Sequence, residues 1–116
     1  MASLRLVLPL LPGKEEAWRR LYQELSGSRR PEHEESRRRL GITRECVWVA
    51  QSLQGEIAMV HLEAKEPEQV FQQLAASDLP FDRWFRQQLK EFHGLDVTQP
   101  QVVAPSTEVI FDWQTR

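Results

Sequence analysis

Apolar and polar residues alternate with a period of two in several short stretches, and recur every three or four residues in the segments between them. "SLRLVLPL" (3–10) points Leu4, Leu6 and Leu8 one way and Arg5 and Val7 the other, the pattern of a half-buried strand. Pro9 falls near its end, where a lost donor matters least. In "LPGKEEAWRRLYQEL" (11–25), acids open a helix and Ala17, Trp18, Leu21, Tyr22 and Leu25 form one apolar face. "RPEHEESRRRLG" predicts a second helical piece, with Pro31 and acids in its first turn, Arg37 to Arg39 in its last and Gly41 as its stop. Glu34 with Arg38, and Glu35 with Arg39, have helix-surface spacing, so this charge run reads as a solvated face.

Two further strands, "TRECVWVAQ" (43–51) and "EIAMVHLEA" (56–64), are joined by "SLQG", in which Gly55 suits a hairpin turn. "EPEQVFQQLAA" (66–76) and "SDLPFDRWFRQQLKEFHG" (77–94) are helices opened by Pro67 and Pro80. Ser77 and Asp78 are the cap candidates of the second. A proline-bearing loop (95–106) leads to a last strand, "TEVIFDW" (107–113). The order β, α, β, β, α, β predicts an α+β domain spanning 1–116. It is a ferredoxin-like βαββαβ unit, a four-stranded antiparallel sheet with helices on one face and the first and third strands central.

The second face of that sheet then receives Arg5 and Val7; Cys46, Trp48 and Ala50; Ile57, Met59, His61 and Glu63; and Glu108, Ile110 and Asp112. If the hairpin closes on Gln51 and Glu56, Ala50 faces Ile57, Trp48 faces Met59, Cys46 faces His61 and Arg44 faces Glu63. Arg5 falls near His61 or Glu63 on one side and Asp112 on the other. Val7, Trp48, Ile57, Met59 and Ile110 make this face too apolar for open water, and a second copy of the chain is the cover that fits it.

With 116 residues, 41% hydrophobic and 28% charged, the chain has the composition of one soluble globular domain. No apolar run approaches a membrane span. The single cysteine, Cys46, excludes an internal disulfide and a multi-cysteine zinc site, and suggests a reducing, cytoplasmic compartment. A net charge of −2 lacks the basic footprint of a nucleic-acid binder.

His61 is the residue on the second face best suited to proton transfer near neutral pH. Beside it, Arg44 with Glu63 and Arg5 with Asp112 read first as cross-strand ion pairs. Cys46 reads as a small packed hydrophobe rather than a nucleophile. No ligand-spacing motif supports a metal. His33 and His93 read as exposed or capping residues.

The stretches "LPLLPGKEEAW", "RRRLGITRECVWVAQ", "AMVHLEA" and "DLPFDRWFRQQLKEFHGLDV" resemble a family of small, mostly uncharacterised bacterial proteins of the dimeric α/β-barrel superfamily. At fold level these are related to antibiotic biosynthesis monooxygenase-type proteins. The resemblance covers nearly the whole chain and implies a homodimer whose two sheets face each other around a cavity. The wider superfamily spans cofactor-independent monooxygenases, haem-binding enzymes, isomerases and simple binding proteins, so it implies no single chemistry and carries over no functional residue. Three readings follow. The first is a binding protein or cofactor-independent enzyme for a small apolar or aromatic molecule, served by His61, Arg5, Trp48 and Met59. The second is a haem or metal protein with His61 as ligand. The third is a non-catalytic dimeric module.

Overall fold

The computed structural model describes residues 2–99 and 109–115. Three strands, β1 (Ala2–Pro9), β2 (Ile42–Ser52) and β3 (Gly55–Ala64), form an antiparallel sheet in the order β1-β3-β2. Four α-helices accompany it: α1 (Glu15–Ser26), α2 (Arg30–Arg39), α3 (Val70–Ala76) and α4 (Pro80–His93), with a 3-10 turn at Pro67–Gln69 leading into α3. No helix among the described residues is long and apolar enough to cross a membrane.

The alternation sorts the two sheet faces as expected. Leu4, Ala58 and Leu62 are buried against the helices, whereas Val7 is 68% exposed and Trp48 48% exposed on the opposite side. The β2–β3 hairpin turns through Leu53 and Gln54, with Gly55 at φ +115, a conformation open to glycine at little cost. Its register pairs Ala50 with Ile57, Trp48 with Met59, Cys46 with His61 and Arg44 with Glu63, and β1 sets Arg5 opposite His61.

One irregularity was not expected. The pairing jumps from Arg44↔Glu63 to Ile42↔Ala64, leaving Thr43 as an extra residue whose hydroxyl donates to the Glu63 carbonyl at 3.1 Å. This bulge reverses the parity of β2. Without it Ile42 would share the open face with Arg44; with it, Ile42 is buried beside Ala64.

The helices cover one face. Trp18, Leu21 and Leu25 of α1, Val70, Phe71 and Leu74 of α3, and Phe81, Phe85 and Phe92 of α4 form the core with Leu4, Ala58 and Leu62. Gly94, at φ +69, ends α4, and its amide bonds the Lys90 carbonyl at 2.9 Å.

α2 departs from its expected solvated face. Ser36 and Arg37 are buried, and Asp82 of α4 is 0% exposed. Asp82 accepts from Ser36 Oγ at 2.8 Å, Ser77 Oγ at 2.6 Å and Arg39 at 2.8 Å. Arg29 lies 3.9 Å over the Trp84 ring and Arg37 4.5 Å over Phe85. α2 therefore docks on α4 through guanidinium stacking and one shared carboxylate rather than an apolar stripe. Glu34 pairs with Arg30 at 2.7 Å, not with Arg38, while Arg39 reaches Glu35 only at 3.8 Å because it is held by Asp82.

The expected fourth strand, 107–113, is not seen among the described residues. Thr107 and Glu108 lie outside the described residues, and residues 109–115 have no regular secondary structure. Ile110 is 83% exposed, and Val109, Phe111 and Trp113 are comparably bare. Ile110 and Asp112 thus do not join the sheet face, Arg5 bonds His61 instead of Asp112, and β1 is an edge strand among the described residues. Alternation marks a segment able to form a strand, but a strand exists only where another backbone takes its hydrogen bonds.

Candidate functional site

The open sheet face gathers Arg5 and Val7 from β1, Trp48 and Arg44 from β2, and Met59 and His61 from β3 around a shallow concavity of about 610 Å3. β3 is the middle strand, so its alternate residues place Met59 and His61 between the other two strands. Ile57 occupies the same face nearer the hairpin, and Cys46 sits across from His61 in register; neither lines the concavity.

The polar residues form a series across the strands. Arg5 Nε donates to His61 Nδ1 at 3.3 Å, His61 Nε2 bonds Glu63 at 3.1 Å, and Glu63 takes Arg44 at 3.5 Å. Because Nδ1 accepts from a guanidinium, the ring carries its hydrogen on Nε2 and donates it to the carboxylate. That bond, joined by the Arg44 charge, holds Glu63 below the usual carboxylate range. The His61 side chain is 13% exposed, while Arg5 reaches solvent.

A second polar group, which the charge-run reading missed, lies on the helix face. Glu45 takes two bonds from Arg37, at 2.9 and 3.2 Å, and one from His33 at 2.9 Å. Burial pushes the Glu45 carboxyl up, but the Arg37 charge and these bonds outweigh it and hold the pKa at about 2. The signal was present in the sequence: Glu45 shares the parity of Val47 and Val49, and His33 and Arg37 share one helix face. His93 bonds the Pro9 carbonyl at 3.0 Å, and burial lowers its pKa.

Among the described residues no three His, Cys, Asp or Glu side chains converge as metal ligands. Both ring nitrogens of His61 are engaged, so an axial bond to haem iron would require releasing Arg5 or Glu63. The chain was compared with protein-family models, curated proteins and solved structures, and none of them matches it.

Proposed function

We propose that this chain is a small-molecule-binding protein, or a cofactor-independent enzyme of oxygenase or isomerase type. Its ligand is a small apolar or aromatic molecule with an anionic group, held on the open sheet face. The observation that carries this reading is the Arg5–His61–Glu63–Arg44 series beside Trp48 and Met59. Two guanidiniums face one carboxylate there, so the site has one cation to spare for a ligand anion. Few convergent polar groups on an apolar wall are the usual make-up of such sites.

The series also supplies a chemical step. A ligand carboxylate or enolate seated on Arg5 competes with His61 for the guanidinium. Once Arg5 turns to the ligand, His61 Nδ1 is free to accept a proton, while Glu63 holds Nε2 and so orients the ring.

In this reading a homodimer closes the site, with two open faces meeting across the ligand. Exposed Val7 and Trp48 favour such a cover. The free edge of β1 and the bare apolar segment 109–113 favour a four-stranded, ferredoxin-like form in which that segment adds along β1. The lone half-buried cysteine suits a reducing compartment such as the cytoplasm.

Two measurements test this. Sedimentation should show a dimer that Trp48→Glu converts to monomer. Titration with benzoate, followed by NMR, should move the His61 and Trp48 signals, and Arg5→Gln should weaken binding about tenfold or more. A wild-type monomer at high concentration removes the cover. Equal benzoate affinity in Arg5→Gln and wild type removes the site and leaves the non-catalytic module.

A further inference from the structure

The two edges of the sheet are not alike. Backbone direction follows from two bonds near the ends of β3. The Leu10 amide reaches the Glu56 carbonyl on the β1 side, and the Lys65 amide reaches the Gly41 carbonyl on the β2 side. Even residues of β3 thus bond β1 and odd residues bond β2. The register then turns Arg44, Cys46, Trp48 and Ala50 toward β3, and the N–H and C=O groups of Glu45, Val47, Val49 and Gln51 outward. No other strand takes these groups among the described residues. On β1 the outward row is shorter. Pro9 ends it, without an N–H and with its carbonyl held by His93 at 3.0 Å. Residues 45–51 of β2 contain none of the lysines or prolines that usually blunt an edge.

Two depressions lie along that row and meet at His33 and Glu45. One, of about 430 Å3, separates α1 from β2 and is walled by Trp18, Tyr22, Val47 and Val49. The other, of about 330 Å3, lies between α2 and the Thr43 bulge and carries Arg38 and Arg44. Its acids are already engaged, Glu34 with Arg30 at 2.7 Å and Glu45 with Arg37 and His33. Exposed Arg38 forms no ion pair among the described residues, and exposed Arg44 only its 3.5 Å contact with Glu63. The edge therefore runs from an apolar half to a half with positive charge to spare.

We propose that the outer edge of β2 is a docking site for an extended peptide of another protein, which adds as a further antiparallel strand, presents alternate apolar side chains and ends in acidic residues. Backbone bonds to Glu45, Val47, Val49 and Gln51 supply the pairing, as in other strand additions. Alternation puts every second side chain over the cleft beside Trp18 and Tyr22, which suits Val or Phe. Antiparallel pairing is the more stable per residue and continues the existing sheet. It runs the peptide from Gln51 toward Thr43, so its C-terminal end meets Arg38 and Arg44. Two consecutive acids there put one carboxylate on each side of the strand, one for Arg38 of α2 and one for Arg44 of the open face. The Thr43 bulge then ends the pairing.

The inference does not depend on the reading of the open face, in which residues 109–113 take the β1 edge and leave that of β2 bare. Three acetylated and amidated peptides test it by NMR titration of the 15N-labelled full chain: TVTFTEE, the charge-reversed TVTFTKK and the reversed order EETFTVT. TVTFTEE should shift the amides of Glu45, Val47, Val49 and Gln51 saturably and slow their hydrogen exchange. It should bind at least about tenfold tighter than either of the others. Arg38→Gln should remove most of its advantage over TVTFTKK, whereas Arg5→Gln should leave that advantage unchanged. Val47→Pro removes one outward N–H at an edge position where proline is tolerated, and should abolish binding. If that variant does not fold, the peptide ranking and the amide pattern on the wild type still decide. Protection of these amides in the free chain, by a second copy or by the chain's own residues, would overturn the site. So would equal affinity for TVTFTEE and TVTFTKK, or no saturable shift. An equal loss in Arg5→Gln and Arg38→Gln would move the peptide to the open face, and tightest binding of EETFTVT would overturn the orientation.

Discussion

Two groupings of arginine, histidine and glutamate lie on opposite faces of one sheet, and they behave differently. On the helix face, Arg37 grips Glu45 with two bonds and His33 adds a third, with side chains only 10%, 15% and 20% exposed in turn. On the open face, Arg5, His61, Glu63 and Arg44 are linked by single contacts of 3.1 to 3.5 Å, and the Arg44 side chain is 61% exposed. The residue types are the same. Completeness separates the two, and so does the burial of the arginine and the carboxylate, since Glu63 is 30% exposed against 15% for Glu45. A buried carboxylate with its hydrogen bonds filled is costly to disturb, because removing one partner leaves the other charged and dry. A wet series of single bonds rearranges at little cost, since water replaces each contact. The first grouping is therefore a fastener and the second is available to a ligand.

The sharpest way to break this contrast is Glu45→Ala. It leaves Arg37 buried and unpaired, and should cost about 3–5 kcal/mol by chemical denaturation. A loss like that of an ordinary surface substitution would mean that Arg37 simply turns to solvent. Asp82→Ala comes next. It strips the acceptor from Ser36, Ser77 and Arg39 at the α2–α4 junction, and a loss of about 2–3 kcal/mol is expected in the same assay.

Acid should act through the same two carboxyls. The Glu45 pKa is depressed to about 2 in the folded chain, from an ordinary 4.5. Its contribution is thus complete above about pH 4.5 and is lost as pH falls from there through about 2. Asp82 is lowered too, because the bonds from Arg39, Ser77 and Ser36 outweigh its burial, so it adds to the same acid limb. Thermal melts from pH 6 to pH 2 should show a steep fall, flattened in Glu45→Gln. An unchanged acid limb in that variant would move the effect to other groups.

The open face should give the smallest stability changes. His61→Ala and Arg5→Gln are expected to leave the denaturation midpoint nearly where it was while weakening benzoate binding. A large stability loss in either would place that series among the fasteners and dissolve the contrast.

How much of this was legible in the residues can be traced position by position. The hairpin register came from parity, since a one-residue slip would have buried Glu63 and exposed Leu62. That was enough to place His61 with Arg5, Trp48 and Met59. Glu45 escaped notice although its parity with Val47 and Val49 already turned it toward the helices. The run "RPEHEESRRRL" looked solvated because helix-surface pairs explain its spacing locally, and nothing within α2 announces that Asp82, in a distant helix, will claim Ser36 and Arg39.

Short-range pattern thus determined the elements, the two faces of the sheet and the pairing of β2 with β3, because side-chain period and turn chemistry act over a few residues. Tertiary structure decided the rest: the Thr43 bulge that buries Ile42, the turning of Arg37 inward, the burial of Asp82 and the place of residues 109–115 outside the sheet. Each depends on which distant backbone or charge arrives as a partner. A hydrogen bond or ion pair has its value only in the surroundings that the whole fold provides.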